Sequence, residues 1–92
     1  MSAALAFDLL LVALLLLAAL RAMTTPRLGQ ALLAFVVFGL LMALAWVRLD
    51  APDIALAEAA VGAGLSGVLL FDAWRALRGE PPDEASTAEH TR

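Results

Sequence analysis

The sequence predicts an all-α integral membrane protein with three transmembrane helices. Three observations predict it. Hydrophobic residues make up 63% of only 92 residues, and mean hydropathy is +0.90. A soluble domain of this size has too little interior to hide so much apolar surface, whereas lipid accepts it. The apolar residues also fall into three stretches near the length of about 20 residues that a spanning helix needs. Between the stretches lie short segments carrying Pro, Asp and Arg.

The first helix is expected over about residues 3–22, and Leu9–Leu20 carries no polar side chain. Met1–Phe7 has no basic residue and Asp8 interrupts the run, so this stretch reads as a span and not as a signal peptide. The second helix is expected over 28–47. Thr25-Pro26 reads as its N-cap followed by proline at the first helical position. Gln30 reads as a polar residue at the helix start. The third helix is expected over 53–77. Asp50 is the candidate cap, Pro52 the helix start, and Asp53 a negative charge on the positive end of the helix dipole. Gly79 with Pro81-Pro82 should stop it. Residues 1–78 then form one transmembrane module, and 79–92 a polar, disordered cytoplasmic tail.

The arginines suggest an orientation. Arg21 and Arg27 lie in the first loop without an acid, Arg48 lies among Asp50 and Asp53, and Arg75 and Arg78 flank the third helix. The positive-inside rule puts the first loop and the C-terminus in the cytoplasm and the N-terminus outside. Trp46 and Trp74 then sit at opposite interfaces as anchors. Asp72 is expected to pair with Arg75 or Arg78.

Composition excludes several functions. With no cysteine there is neither a disulfide framework nor a thiolate metal site, and the single histidine, His90, lies in the tail. Net charge is −3, there is no lysine, and no basic stripe suits nucleic acid. No nucleophile–base pair, metal cluster or phosphate loop is present, and Gly62-x-Gly64 lacks the strand and spacing of a nucleotide site. The chain reads as neither an enzyme nor a cofactor protein.

The third helix carries the unusual chemistry. Glu58 is the one charged residue in Ile54–Phe71. An ionisable side chain at membrane depth costs roughly 2.5–3.5 kcal/mol on insertion scales, and so marks a functional candidate. A glutamate snorkelling to the outer interface is the plainer alternative. Its short side chain and its Ala and Gly neighbours argue against that. Glu58 is then protonated, hydrated by a cavity, or paired with a cation from another subunit. Arg48 could reach it only from the second loop. Asp8 is a weaker candidate for the same ion path, because it lies near the outer end of the first helix. Metal ligation is not expected.

Around Glu58 the side chains are small. Ala55, Ala59, Ala63 and Gly67 form one row four residues apart, Glu58, Gly62 and Ser66 a second, and Ala60 and Gly64 a third. Such rows let helices approach closely in lipid. So much small surface implies neighbours on more than one side, hence a subunit of a larger assembly. Gly62, Gly64 and Gly67 also weaken an α-helix by about 1 kcal/mol each relative to alanine. Close packing is the first reading of that cluster, and a helix able to bulge into a π form is the second.

The run Asp50-Ala51-Pro52-Asp53-Ile54-Ala55-Leu56-Ala57-Glu58-Ala59-Ala60-Val61-Gly62-Ala63-Gly64-Leu65 resembles the signature of the MbhD-type domain. That three-helix module occurs as a small subunit of membrane-bound hydrogenases and near the C-terminal end of the large subunit of Mrp-type cation/proton antiporters. It is similar to the first helices of the J subunit of respiratory complex I. The resemblance covers about residues 5–75. It implies that Glu58 matches the family's acid on a proton path between antiporter-like subunits. It also implies that Gly62 and Gly64 match a part of the helix able to switch between α and π forms.

The expected function is therefore that of a small subunit of a monovalent cation (Na+)/proton antiporter or a related complex-I-like complex. Its partners would be other membrane subunits, the lipid bilayer, protons and Na+, and its place a bacterial or archaeal inner membrane. An assembly scaffold without a transport role, or a holin-like pore former, are the rivals. The acidic tail argues against the latter.

Overall fold

The computed structural model describes residues 2–79. It is all-helical, with three helices long and apolar enough to cross a membrane: Ala3–Thr24, Leu28–Arg48 and Pro52–Leu77. The first two are α1 and α2. The third, called helix three below, consists of α3 (Pro52–Glu58), a π segment (Ala59–Ser66) and α4 (Gly67–Leu77). The tail from Glu80 onward, with its two prolines and its acids, lies outside the described residues.

Local chemistry sets each helix end, not always as the sequence suggested. Ser2 caps α1, its Oγ accepting from the Leu5 N–H at 3.2 Å. Thr25 does not cap α2. The residue before a proline is pushed out of the α region, so Thr25 is extended (φ −69°, ψ 130°) and closes α1 instead. Its N–H donates to the Arg21 carbonyl, and the Thr24 hydroxyl donates to the Leu20 carbonyl at 2.7 Å. Pro26 falls in a three-residue link, and α2 begins at Leu28 behind Arg27 with no side-chain cap.

Asp50 does not cap helix three either. It ends α2 by taking a left-handed conformation (φ 61°). The Asp50 N–H donates to the Val47 carbonyl and the Ala51 N–H to the Trp46 carbonyl. That is the paired closure of a Schellman motif, in the position glycine usually fills. Pro52 then occupies the first turn of α3 and Asp53 supplies its acid. At the far end Gly79 takes the same left-handed role (φ 83°) after α4.

The short links make consecutive helices antiparallel. α1 packs on α2 and all three parts of helix three pack on α2, while among the described residues α1 and helix three do not touch. The molecule is a row with α2 in the middle, and its shortest principal extent is 15 Å. That is little more than the 10–12 Å diameter of one helix with its side chains. A row has two seams and no centre. The buried residues are accordingly few and mostly small: Leu11, Ala18, Gly39, Ala43, Ala55 and Gly67. Large apolar side chains such as Leu16, Leu20, Leu56, Val61 and Val68 face outward. In water this surface would aggregate. In a bilayer it is solvated by lipid or covered by other membrane helices.

The Asp50 corner yields a prediction. Asp50→Gly removes the strain of a side chain at positive φ and should raise thermal stability in detergent by up to about 1 kcal/mol. Asp50→Val, which is β-branched and unable to bond locally, should lower it by about 1–2 kcal/mol.

Candidate functional site

Burial along helix three has a period of four. Ala55, Ala59, Ala63, Gly67 and Phe71 are buried or half-buried, and so are Glu58, Gly62, Ser66, Leu70 and Trp74. The intervening rows, 56–60–64–68–72 and 57–61–65–69–73, are exposed throughout. An α-helix cannot present such a stripe to a straight neighbour. At 3.6 residues per turn, four residues overshoot a full turn by about 40°, and four such steps carry the row about 160° round the helix. The π segment corrects this. Its hydrogen bonds run i→i+5 and its turns hold more residues than an α-helix, so the stripe is turned back toward α2. The small residues make the wide turn feasible, since Gly62 and Gly64 already weaken the α alternative.

Glu58 sits at the junction, as the last residue of α3 directly before the π segment. It lies about 9 Å along the helix from Pro52. The residue is half-buried, on the stripe. Its carboxylate folds along the helix toward the glycine one turn on: a Cβ built on Gly62 would stand 3.3 Å from Glu58 Oε1. Among the described residues Glu58 has neither a hydrogen-bond nor an ion-pair partner.

Gly62, Ser66 and Gly67 continue the stripe inward. Gly67 is buried, and a Cβ there would meet Val36 Cγ2 of α2 at 3.2 Å, so it marks the close approach of the two helices. Gly64 differs. It lies on the exposed side with Ala60, and a Cβ there would meet only the helix's own Ala59 carbonyl, at 3.7 Å. The row containing Gly64 therefore has no partner within the described residues.

Arg48 does not reach Glu58. Its Nε–H donates to Asp8 Oδ1 at 2.7 Å and its Nη2–H to Asp8 Oδ2 at 3.1 Å, and its guanidinium lies 5.4 Å from the Phe7 ring centroid. This bidentate pair clasps the start of α1 to the end of α2, on the α1 side of the row. Asp8 is thus engaged with Arg48 and is not brought together with Glu58. The pairing was open to sequence reasoning: a hairpin of two spans with a three-residue link sets residue 8 level with about residue 44, one turn from Arg48 and within reach of its long side chain.

The opposite end is held by Trp74. A Cβ on Gly29 would stand 2.5 Å from its Cζ2, so the indole lies directly on the α2 backbone. Phe71 meets it edge-on at 6.0 Å and the Arg78 guanidinium covers it at 4.5 Å. Trp74 therefore packs helix to helix, a role its reading as an interface anchor did not include. Among the described residues Asp72 forms no ion pair with Arg75 or Arg78. It lines, with Arg75, Phe71 and Gly67, an open cleft of about 350 Å³ beside Val36.

The seam between helix three and α2 can be tested where Gly67 meets Val36. Gly67→Leu should cost about 1–3 kcal/mol by overpacking against Val36, read from unfolding of the detergent-solubilised chain. A matching substitution at Gly64, on the open side, meets no neighbouring helix and should carry no overpacking cost, moving stability only by the roughly 1 kcal/mol of helix propensity.

No curated protein and no solved structure matches the chain. The MbhD family, described as the D subunit of MBH, matches residues 13–79, which takes in the second half of α1, all of α2 and the whole of helix three with Glu58 and the π segment. With 67 of its 78 described residues inside that match, the chain belongs to the MbhD family of membrane-complex subunits, and its three helices are long and apolar enough to cross a membrane.

Proposed function

We propose that the chain is a small subunit of a multi-subunit monovalent cation/proton antiporter, or of a related complex-I-like proton-translocating complex. Within it Glu58 takes up and releases protons, or holds water in the ion path. The observation that carries this reading is the placement of Glu58: a half-buried carboxylate without a partner among the described residues, where the helix changes from α to π. A group that must exchange protons gains from having no fixed counter-charge within its own chain, and π turns concentrate at functional sites. The membership in a family of membrane-complex subunits supports it.

In this reading the π segment is the adjustable part. Reversion to α geometry would rotate the stripe past α2 and carry the Glu58 carboxylate with it, opening or closing the path. The chain does no covalent chemistry and holds no cofactor. The N-terminus and second loop face outward and the C-terminus faces the cytoplasm of a bacterial or archaeal cell, as the arginine distribution favours. Na+ is the cation most in keeping with the antiporter resemblance. The exposed row through Gly64 serves as a contact for a larger neighbouring subunit.

The test is transport by the assembled complex. Glu58→Gln should reduce proton-coupled transport by about ten-fold or more while the subunit still co-purifies with its neighbours, and Glu58→Asp should recover part of it. Gly62→Val, which crowds the carboxylate without changing charge, should also lower transport. If Glu58→Gln transports normally, the relay role is wrong. If it fails to co-purify, Glu58 is an assembly contact and the scaffold reading takes its place.

A further inference from the structure

The seam between α1 and α2 is open along one stretch and forms a groove of about 500 Å³. Its walls are Leu14 and Leu17 of α1 and Val37 and Leu41 of α2, with Ala18 and Ala34 at their side. At one end the lining turns polar, with Arg21, Thr25 and Gln30. Arg21 is exposed and has no ion-pair partner among the described residues. The loop it enters holds a second cation, Arg27, and no acid. From Gln30 to Leu41 the groove runs about 16 Å along α2. That matches one leaflet, half of a hydrocarbon core of about 30 Å.

We propose that this groove seats one acyl chain of an anionic phospholipid, with the lipid phosphate at Arg21. The length fits a single chain reaching from headgroup level to the bilayer midplane. The charge also fits, because a cation at the polar end meets a phosphate while the walls offer only methyl and methylene groups. Arginine and Gln30 both donate hydrogen bonds, and guanidinium matches phosphate oxygens in a two-pronged geometry. Leu14, Leu17 and Val37 are exposed beside the groove, so a chain can enter sideways from the bilayer. The lipid would fill the seam of a hairpin held at its other end by the Asp8–Arg48 clasp. This site is separate from Glu58 and stands whether or not the transport reading holds.

The full-length chain, reconstituted in nanodiscs of equimolar phosphatidylglycerol and phosphatidylcholine and released for native mass spectrometry, should retain phosphatidylglycerol in clear preference. Arg21→Gln should cut that preference about five-fold, the worth of one arginine at a charged lipid surface, and Arg21→Lys should keep most of it. Ala34→Trp should expel both lipids while circular dichroism keeps its helical intensity. Equal retention of the two lipids by the unaltered chain would overturn the proposal. So would an unchanged preference in Arg21→Gln, or a photo-crosslinker at Leu33 that captures a protein and no lipid in cells.

Discussion

A stripe of side chains repeating every four residues can lie along a straight neighbour only if the helix turns more slowly than an α-helix does. Helix three meets that condition through the π segment Ala59–Ser66. Its consequences reach both ends. Above the segment, Ala55 is buried in the row; below it, Gly67 meets Val36 and Trp74 lies on Gly29. With α geometry throughout, the helix could satisfy one of these ends and would turn the other to lipid. The wide turn and the two-ended seam are therefore one feature, and Glu58 stands at its upper boundary.

The same feature gives the acid its setting. A carboxylate packed among larger side chains would need a cation or a hydrogen-bond donor nearby. Here Gly62, with no side chain, leaves room for the carboxylate to lie along the helix. The nearest basic residue by sequence, Arg48, is committed to Asp8 across the other seam. Two acids in one small module are thus separated by role: Asp8 closes a hairpin, and Glu58 is left unpaired among the described residues.

The row architecture explains why such a module works inside a larger assembly. Three helices side by side bury little of themselves, and what they bury is mostly Ala and Gly. Many large apolar side chains stay exposed, and a second small row through Ala60 and Gly64 is open. A closed bundle would have turned these surfaces inward. A row offers them to lipid and to neighbouring subunits, in keeping with a family of membrane-complex subunits.

The three apolar runs, their lengths, the isolated Glu58 and the small residues around it were all legible in the sequence, because hydropathy, length and residue size are properties of local composition. Helix ends were legible where one residue decides them, as at Gly79 and Pro52. They were misread at Thr25 and Asp50, where a cap for the next helix and a stop for the previous one use the same residue types. The sequence left packing and bulging as rival accounts of the glycine cluster; in the structure Gly67 lies against Val36 and Ala59–Ser66 is a π segment. The Gly29 seat of Trp74 and the open side of Gly64 likewise emerged only in three dimensions. The physical reason is that a four-residue row fixes no direction by itself; which way it points depends on the turn of the helix beneath it and on the neighbour it must meet.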